Sequence, residues 1–162
     1  GGNAGFASKR AKDTDQPVLT DAEIQELIKD ILTREGYEVS IAKDGNEALN
    51  LTKSFKPDVV ILDFLLPGLN GLEVCQALKK DVETKNIPII MLTAYPSEKE
   101  NSLSAGAIDF LNKPIEKTDL LLRIKCVLRV RHIKNELQKI IAYIADLEKQ
   151  INLYNIGKEQ KE

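Results

Sequence analysis

The chain has no tryptophan, one histidine, one methionine and two cysteines among its 162 residues, and only 5% of it is aromatic. Any core must therefore be aliphatic, which the hydrophobic fraction of 43% allows. Cys75 and Cys126 are far apart and lack metal-ligand spacing, which argues against a thiolate metal site or a disulfide framework. Two reduced thiols suit a cytoplasmic protein. No apolar run approaches the roughly 18–20 residues that span a bilayer, and no signal-peptide pattern is present, so no membrane association is expected. With a formal net charge of −2, the chain lacks the basic balance of a nucleic-acid-binding protein. The local basic stretch Arg123, Lys125, Arg129, Arg131, His132 and Lys134 lies among apolar residues and reads as a solvated helix face. The absence of a glycine-rich phosphate loop and of a catalytic histidine near any strand end leaves a small-molecule enzyme without support.

What is present is an alternation of helical and extended patterns. Residues 1–16 are rich in Gly, Lys and Asp and read as a disordered leader or tag remnant. Ile24, Leu27, Ile28, Ile31 and Leu32 form a helical stripe over 22–35, stopped by Gly36. Residues 37–41 alternate as a strand, and residues 46–55 are helical. Val59-Val60-Ile61-Leu62 and the run 87–92 are continuous apolar strands of the kind covered on both faces. Pro67-Gly68 and Asn70-Gly71 signal loops, 72–80 and 97–105 helices, and 107–111 a last strand. The order predicts an α/β domain with a parallel sheet and helices on both faces. In such sheets polar sites form at the carboxyl ends of the strands.

Three consecutive buried strands deliver Asp63, Thr93 and Lys113 to that edge. Singly, each has a plain explanation: a turn-forming aspartate, a helix-capping threonine, a solvated lysine before proline. Jointly they make a phosphoryl-transfer constellation. A carboxylate can attack a phosphoryl donor and form an acyl phosphate. The added oxygens then need the donors that lysine and threonine supply. A divalent ion such as Mg²⁺ commonly assists, held by carboxylates, backbone carbonyls and water.

The segments Pro57–Asp63 through Gly71, Pro88–Thr93-Ala94, Ala105–Lys113-Pro114, Gly36–Val39 and Asp44–Leu49 resemble, in order, those of response-regulator receiver domains of two-component systems. The resemblance covers roughly residues 18–130. It implies a flavodoxin-like, doubly wound, parallel five-stranded sheet. It implies that Asp63 is the phosphoacceptor, Thr93 the switch hydroxyl, Lys113 the pairing lysine and Phe110 the switch aromatic. The Leu65 backbone carbonyl and Asp63 would be Mg²⁺ ligands. A sensor histidine kinase or phosphotransfer protein would be the partner, and a cis peptide is expected at Lys113-Pro114. No enzymatic activity is expected beyond self-phosphorylation and autodephosphorylation at Asp63.

The chain departs from this family at one end. The register set by Ile24, Gly36 and Asp63 puts the acidic pair that helps hold Mg²⁺ at Leu19 and Thr20, neither of them acidic. Asp21 is the nearest substitute. The first strand reduces to Val18 and Leu19 after Pro17, a poor interior strand. A degenerate receiver, an altered N-terminus, and completion of the sheet by another segment or chain all remain open. Weak Mg²⁺-dependent phosphorylation is expected in the first case.

From Lys117 to Asn155 the pattern reads as one unbroken helix. Val130, Ile133, Leu137, Ile140, Ile144, Leu147, Ile151 and Tyr154 alternate spacings of three and four, the signature of a coiled coil. The alternative is an amphipathic helix folded back on its own domain. The domain reading is a receiver over 17–129, a coiled-coil dimerisation helix over 130–155 giving a homodimer through residues 130–154, and a disordered tail over 156–162. A stand-alone regulator and one driving a further output domain fit equally. The alternative function is a pseudo-receiver that dimerises and docks a partner without phosphoryl chemistry.

Overall fold

The computed structural model describes residues 2–5, 21–66, 69–95 and 97–161, with Gly2–Gly5, Asp21 and Lys161 described through their backbone. The strands are β1 (Gly2–Gly5), β2 (Glu38–Ile41), β3 (Val59–Asp63), β4 (Ile89–Thr93) and β5 (Asp109–Asn112). The helices are α1 (Asp21–Arg34), α2 (Gly45–Phe55), α3 (Gly71–Lys80), α4 (Ser97–Ser104), α5 (Lys117–Val130) and α6 (Glu136–Lys161). The strands pair in parallel in the order β2-β1-β3-β4-β5.

Local chemistry explains most boundaries. Asp44 caps α2 by accepting the Glu47 N–H at 2.9 Å. Asn70 caps α3 in a reciprocal pair: its Oδ1 accepts the Glu73 N–H at 2.9 Å, and its Nδ2 donates to Glu73 Oε1 at 3.0 Å. α1 ends where Gly36 turns to φ +91°, a left-handed conformation that glycine adopts without steric cost. β3 and β4 are buried along their whole lengths, as continuous apolar runs require of a sheet covered on both faces. Alternate residues serve opposite layers. Val59 and Ile61 join a cluster with α1 and α5, whereas Val60 and Leu62 join one with α3. Each such aliphatic side chain contributes roughly 1.5–3 kcal/mol by leaving water. Cys75 and Cys126 are free thiols buried in these two layers.

Four strands fall where the sequence pattern puts them; the N-terminal one does not. The expected Val18-Leu19 strand lies outside the described residues. Gly2–Gly5 instead runs between β2 and β3, with Asn3 opposite Val39 and Val59. The reading of 1–16 as wholly disordered therefore fails at Gly2–Gly5. The physical reason is that a parallel strand pairs through its backbone, which any short segment offers. The composition Gly-Asn-Ala-Gly carries no strand signal of its own.

The C-terminal helix is not continuous from Lys117, contrary to what the pattern suggests: α5 stops at Val130 and α6 starts at Glu136. The Arg131 guanidinium donates to the Leu128 carbonyl at 2.9 Å, closing α5. Asn135 Oδ1 accepts the Gln138 N–H at 2.9 Å, opening α6. The break lets α6 fold back, so that Tyr143 joins the α1–α5 core layer and Ala142 and Leu147 pack against it. A straight helix would leave those side chains in water. α6 also continues to Lys161, through the segment expected to be a disordered tail.

Candidate functional site

The carboxyl ends of β3, β4 and β5 lie side by side. Asp63, the last residue of β3, pairs with Leu92 on β4, and the next residue, Thr93, pairs with Asn112 on β5. With strands about 4.8 Å apart, this register brings Asp63, Thr93 and Lys113 together. The Lys113 ammonium lies 3.1 Å from Asp63 Oδ1 and 2.9 Å from Oδ2, with side-chain exposures of 2% and 0%. A buried pair this close holds a carboxylate and a cation where neither could stand alone. The Leu65 N–H donates to Asp63 Oδ1 at 3.0 Å, fixing the carboxylate's orientation. The Thr93 hydroxyl is buried, with no hydrogen-bond partner among the described residues. A buried hydroxyl without an acceptor costs about 1–3 kcal/mol.

Phe110 sits on β5, half-buried against the layer that holds α3, with the Lys99 ammonium 4.9 Å above its ring. The peptide Lys113-Pro114 is cis, as the resemblance implies. Leu65, whose N–H meets Asp63, is about half exposed. Asp21 opens α1, and of it only the backbone is described.

An Mg²⁺ ion demands an octahedral shell of oxygens. Among the described residues no group of three or more histidines, cysteines, aspartates or glutamates could hold a metal. Asp63 already meets Lys113 through both oxygens, and Gly2–Gly5 carries no carboxylate. The described donors therefore do not by themselves fit a resident magnesium ion. The positions of Leu19 and Thr20 lie outside the described residues.

Two contributors escaped the sequence reading. Glu98, in the first turn of α4, is buried and accepts the Ala94 N–H at 3.2 Å, tying down the loop after Thr93. Gly71 opens α3 directly against the end of β3: a Cβ there would lie 2.1 Å from the Asp63 carbonyl oxygen. Asn70-Gly71 was legible as a loop signal, but this close approach exists only once α3 packs on β3. Gly71→Ala is expected to push α3 off the strand end and destabilise the fold by about 2–4 kcal/mol. A urea midpoint unchanged from wild type would show that the approach is not tight.

A doubly wound parallel sheet whose strand order reverses between β1 and β3, with this pocket at its carboxyl edge, defines the CheY-like receiver class. The chain belongs to the response-regulator receiver family of two-component signalling: the model of the response regulator receiver domain matches residues 18–125. It is 38% identical over 115 residues to the response regulator PleD of Caulobacter vibrioides, a match covering 70% of this chain and 25% of that protein. The chain thus spans about a quarter of the length of the curated relatives it matches. Among solved structures it is similar to the chemotaxis response regulator CheY4 of Vibrio cholerae, with TM-score 0.64, 29% identity, and coverage of 78% of this chain and 96% of that one. It is also similar to a CheY-like receiver domain protein of Methanospirillum hungatei JF-1, with TM-score 0.63, 33% identity, and coverage of 68% and 89%. No described helix is long and apolar enough to cross a membrane.

Proposed function

We propose that this receiver accepts a phosphoryl group on Asp63 from a phosphohistidine of a sensor histidine kinase or phosphotransfer protein. The observation that carries the reading is the buried Asp63–Lys113 pair with, one strand away, the buried Thr93 hydroxyl that has no hydrogen-bond partner among the described residues. In the transfer, an Asp63 oxygen forms a bond to phosphorus as the donor's P–N bond breaks. The departing imidazole nitrogen takes up a proton, and an acyl phosphate remains. Lys113 balances the charge that accumulates on the phosphoryl oxygens. Thr93 gains the acceptor it lacks, and Phe110, on the strand that leads to Lys113, responds to that movement. The domain catalyses at most its own phosphorylation and dephosphorylation.

The proposal extends to a homodimer through residues 130–154. Of the eight heptad positions, Val130, Ile133 and Leu147 are taken up by the chain's own core. Leu137, Ile140, Ile144, Ile151 and Tyr154 are exposed, Leu137 to 68%. The seam is thus largely left open by intramolecular packing, and a second copy of α6 offers the same stripe.

A second reading, a pseudo-receiver that dimerises without phosphoryl chemistry, is favoured by the non-acidic residues at Leu19 and Thr20. One experiment separates the two. The protein is incubated with Mg²⁺ and acetyl phosphate, and its intact mass is read, with Asp63→Asn as control. An adduct of one phosphoryl group, absent in the control, supports the acceptor reading; an unmodified wild-type mass supports the second. Sedimentation tests the dimer separately: Ile144→Asp with Ile151→Asp is expected to convert it to a monomer. A wild-type chain that is already monomeric at micromolar concentration removes the dimer from the proposal.

A further inference from the structure

β5 is four residues long and carries a different contact at each end. Lys113, just past its carboxyl end, holds Asp63. Asp109, its first residue, is buried, and its Oδ2 accepts from both the Arg123 guanidinium of α5 and the Tyr143 hydroxyl of α6. Tyr143 is 1% exposed, and burial followed by the Asp109 charge pushes its hydroxyl well above the usual phenol range. It therefore stays a neutral donor, and Asp109 is its acceptor. Two further contacts hold α6 against the domain. Arg129 grips both oxygens of Asp146 at 2.9 and 3.0 Å, and the buried Lys139 ammonium donates to the Asn86 carbonyl at 3.0 Å. Among the three, the Tyr143 bond is the one made to the strand that also carries Phe110 and leads to Lys113.

We propose that β5 couples the acceptor pocket to α6, with the Asp109–Tyr143 bond as a latch whose hold depends on the state of Asp63 and Lys113. Four residues of strand leave little slack. A change that draws Lys113 toward an added phosphoryl group, and moves Phe110, is felt at Asp109 one residue further back. The helix that Tyr143 releases or tightens is the one whose outer stripe is open to a second copy. Coupling of this kind is reciprocal: whatever loosens α6 also alters the pocket. The phosphoryl-driven form of this inference rests on Asp63 being the acceptor; the mechanical link along β5 does not.

The test reads backbone amide exchange of residues 139–150 in the full chain, as a ratio to the amides of β3, so that a uniform loss of stability cancels. Tyr143→Phe keeps the ring and removes only the hydroxyl, and is expected to raise the ratio at least threefold. Lys113→Met perturbs the pocket end without any phosphodonor and is expected to change the ratio in wild type but not in the Tyr143→Phe background. Wild type carrying a mass-verified phosphoryl adduct is expected to shift the ratio as well. If no adduct forms, the acceptor reading fails while the Lys113→Met arm still decides the link. A ratio unmoved by Tyr143→Phe, or moved by it but by neither Lys113→Met nor the adduct, overturns the proposal.

Discussion

Replacing Lys113 by methionine is expected to lower the unfolding free energy by about 3 kcal/mol and to slow phosphoryl transfer to Asp63 roughly a hundredfold. The first figure follows from burial. Both partners are almost wholly inside, so removing the ammonium leaves a carboxylate with its desolvation cost and no cation. The second follows from charge development. A positioned cation or donor aimed at the oxygens of the reacting group is worth about two to three orders of magnitude in rate. Lys113→Arg, which keeps the charge but not the shape, is expected to recover part of the stability and little of the rate. Urea unfolding and the time course of the intact-mass adduct report the two quantities separately. A Lys113→Met protein as stable as wild type would mean that water reaches Asp63 freely, against the burial described.

Asp109→Ala is expected to be as damaging to stability although it lies at the opposite end of β5. It removes the acceptor of the buried Tyr143 hydroxyl and one of two carboxylates facing Arg123. Arg123 keeps Asp119 at 2.7 Å, so its charge is not stranded. The cost then comes mainly from the hydroxyl and from the loosened helix, about 3 kcal/mol. Asp109→Asn still offers an oxygen to Tyr143 and is expected to restore about half of that. The alanine variant should also show a smaller denaturant slope, because an undocked α6 no longer buries surface to be exposed on unfolding. An unchanged slope together with an unchanged midpoint would show that Tyr143 contributes nothing through this contact.

The parts of the fold that were legible in the sequence share one property: their signals are local. Val59–Leu62 and Ile89–Leu92 are continuous apolar runs of strand length, rich in β-branched residues and closely preceded by proline, which together read as buried parallel strands. Gly36 marks a helix end through its own backbone freedom, and Asn70-Gly71 marks a loop. The break between α5 and α6 had a local signal too, in Asn135-Glu-Leu-Gln138, a capping pattern at a helix start. The heptad spacing that runs through it was the stronger periodicity and hid it. Periodicity reports which residues can share a face, and both a straight coiled coil and a folded-back helix satisfy it.

By itself the sequence determined the alternation of strands and helices, the delivery of Asp63, Thr93 and Lys113 to strand ends, and a long C-terminal stripe of apolar residues. These follow from side-chain chemistry and spacing along the chain. Only the tertiary structure decided that Gly2–Gly5 lies between β2 and β3, that Gly71 must be without a side chain, and that α6 returns to bury Tyr143 beside Asp109. Each depends on which surfaces meet once the elements pack: across 34 residues for Tyr143 and Asp109, and across a loop of a few residues, between the end of β3 and the start of α3, for Gly71. Backbone pairing and close approach between distant elements leave no pattern in the residues that make them.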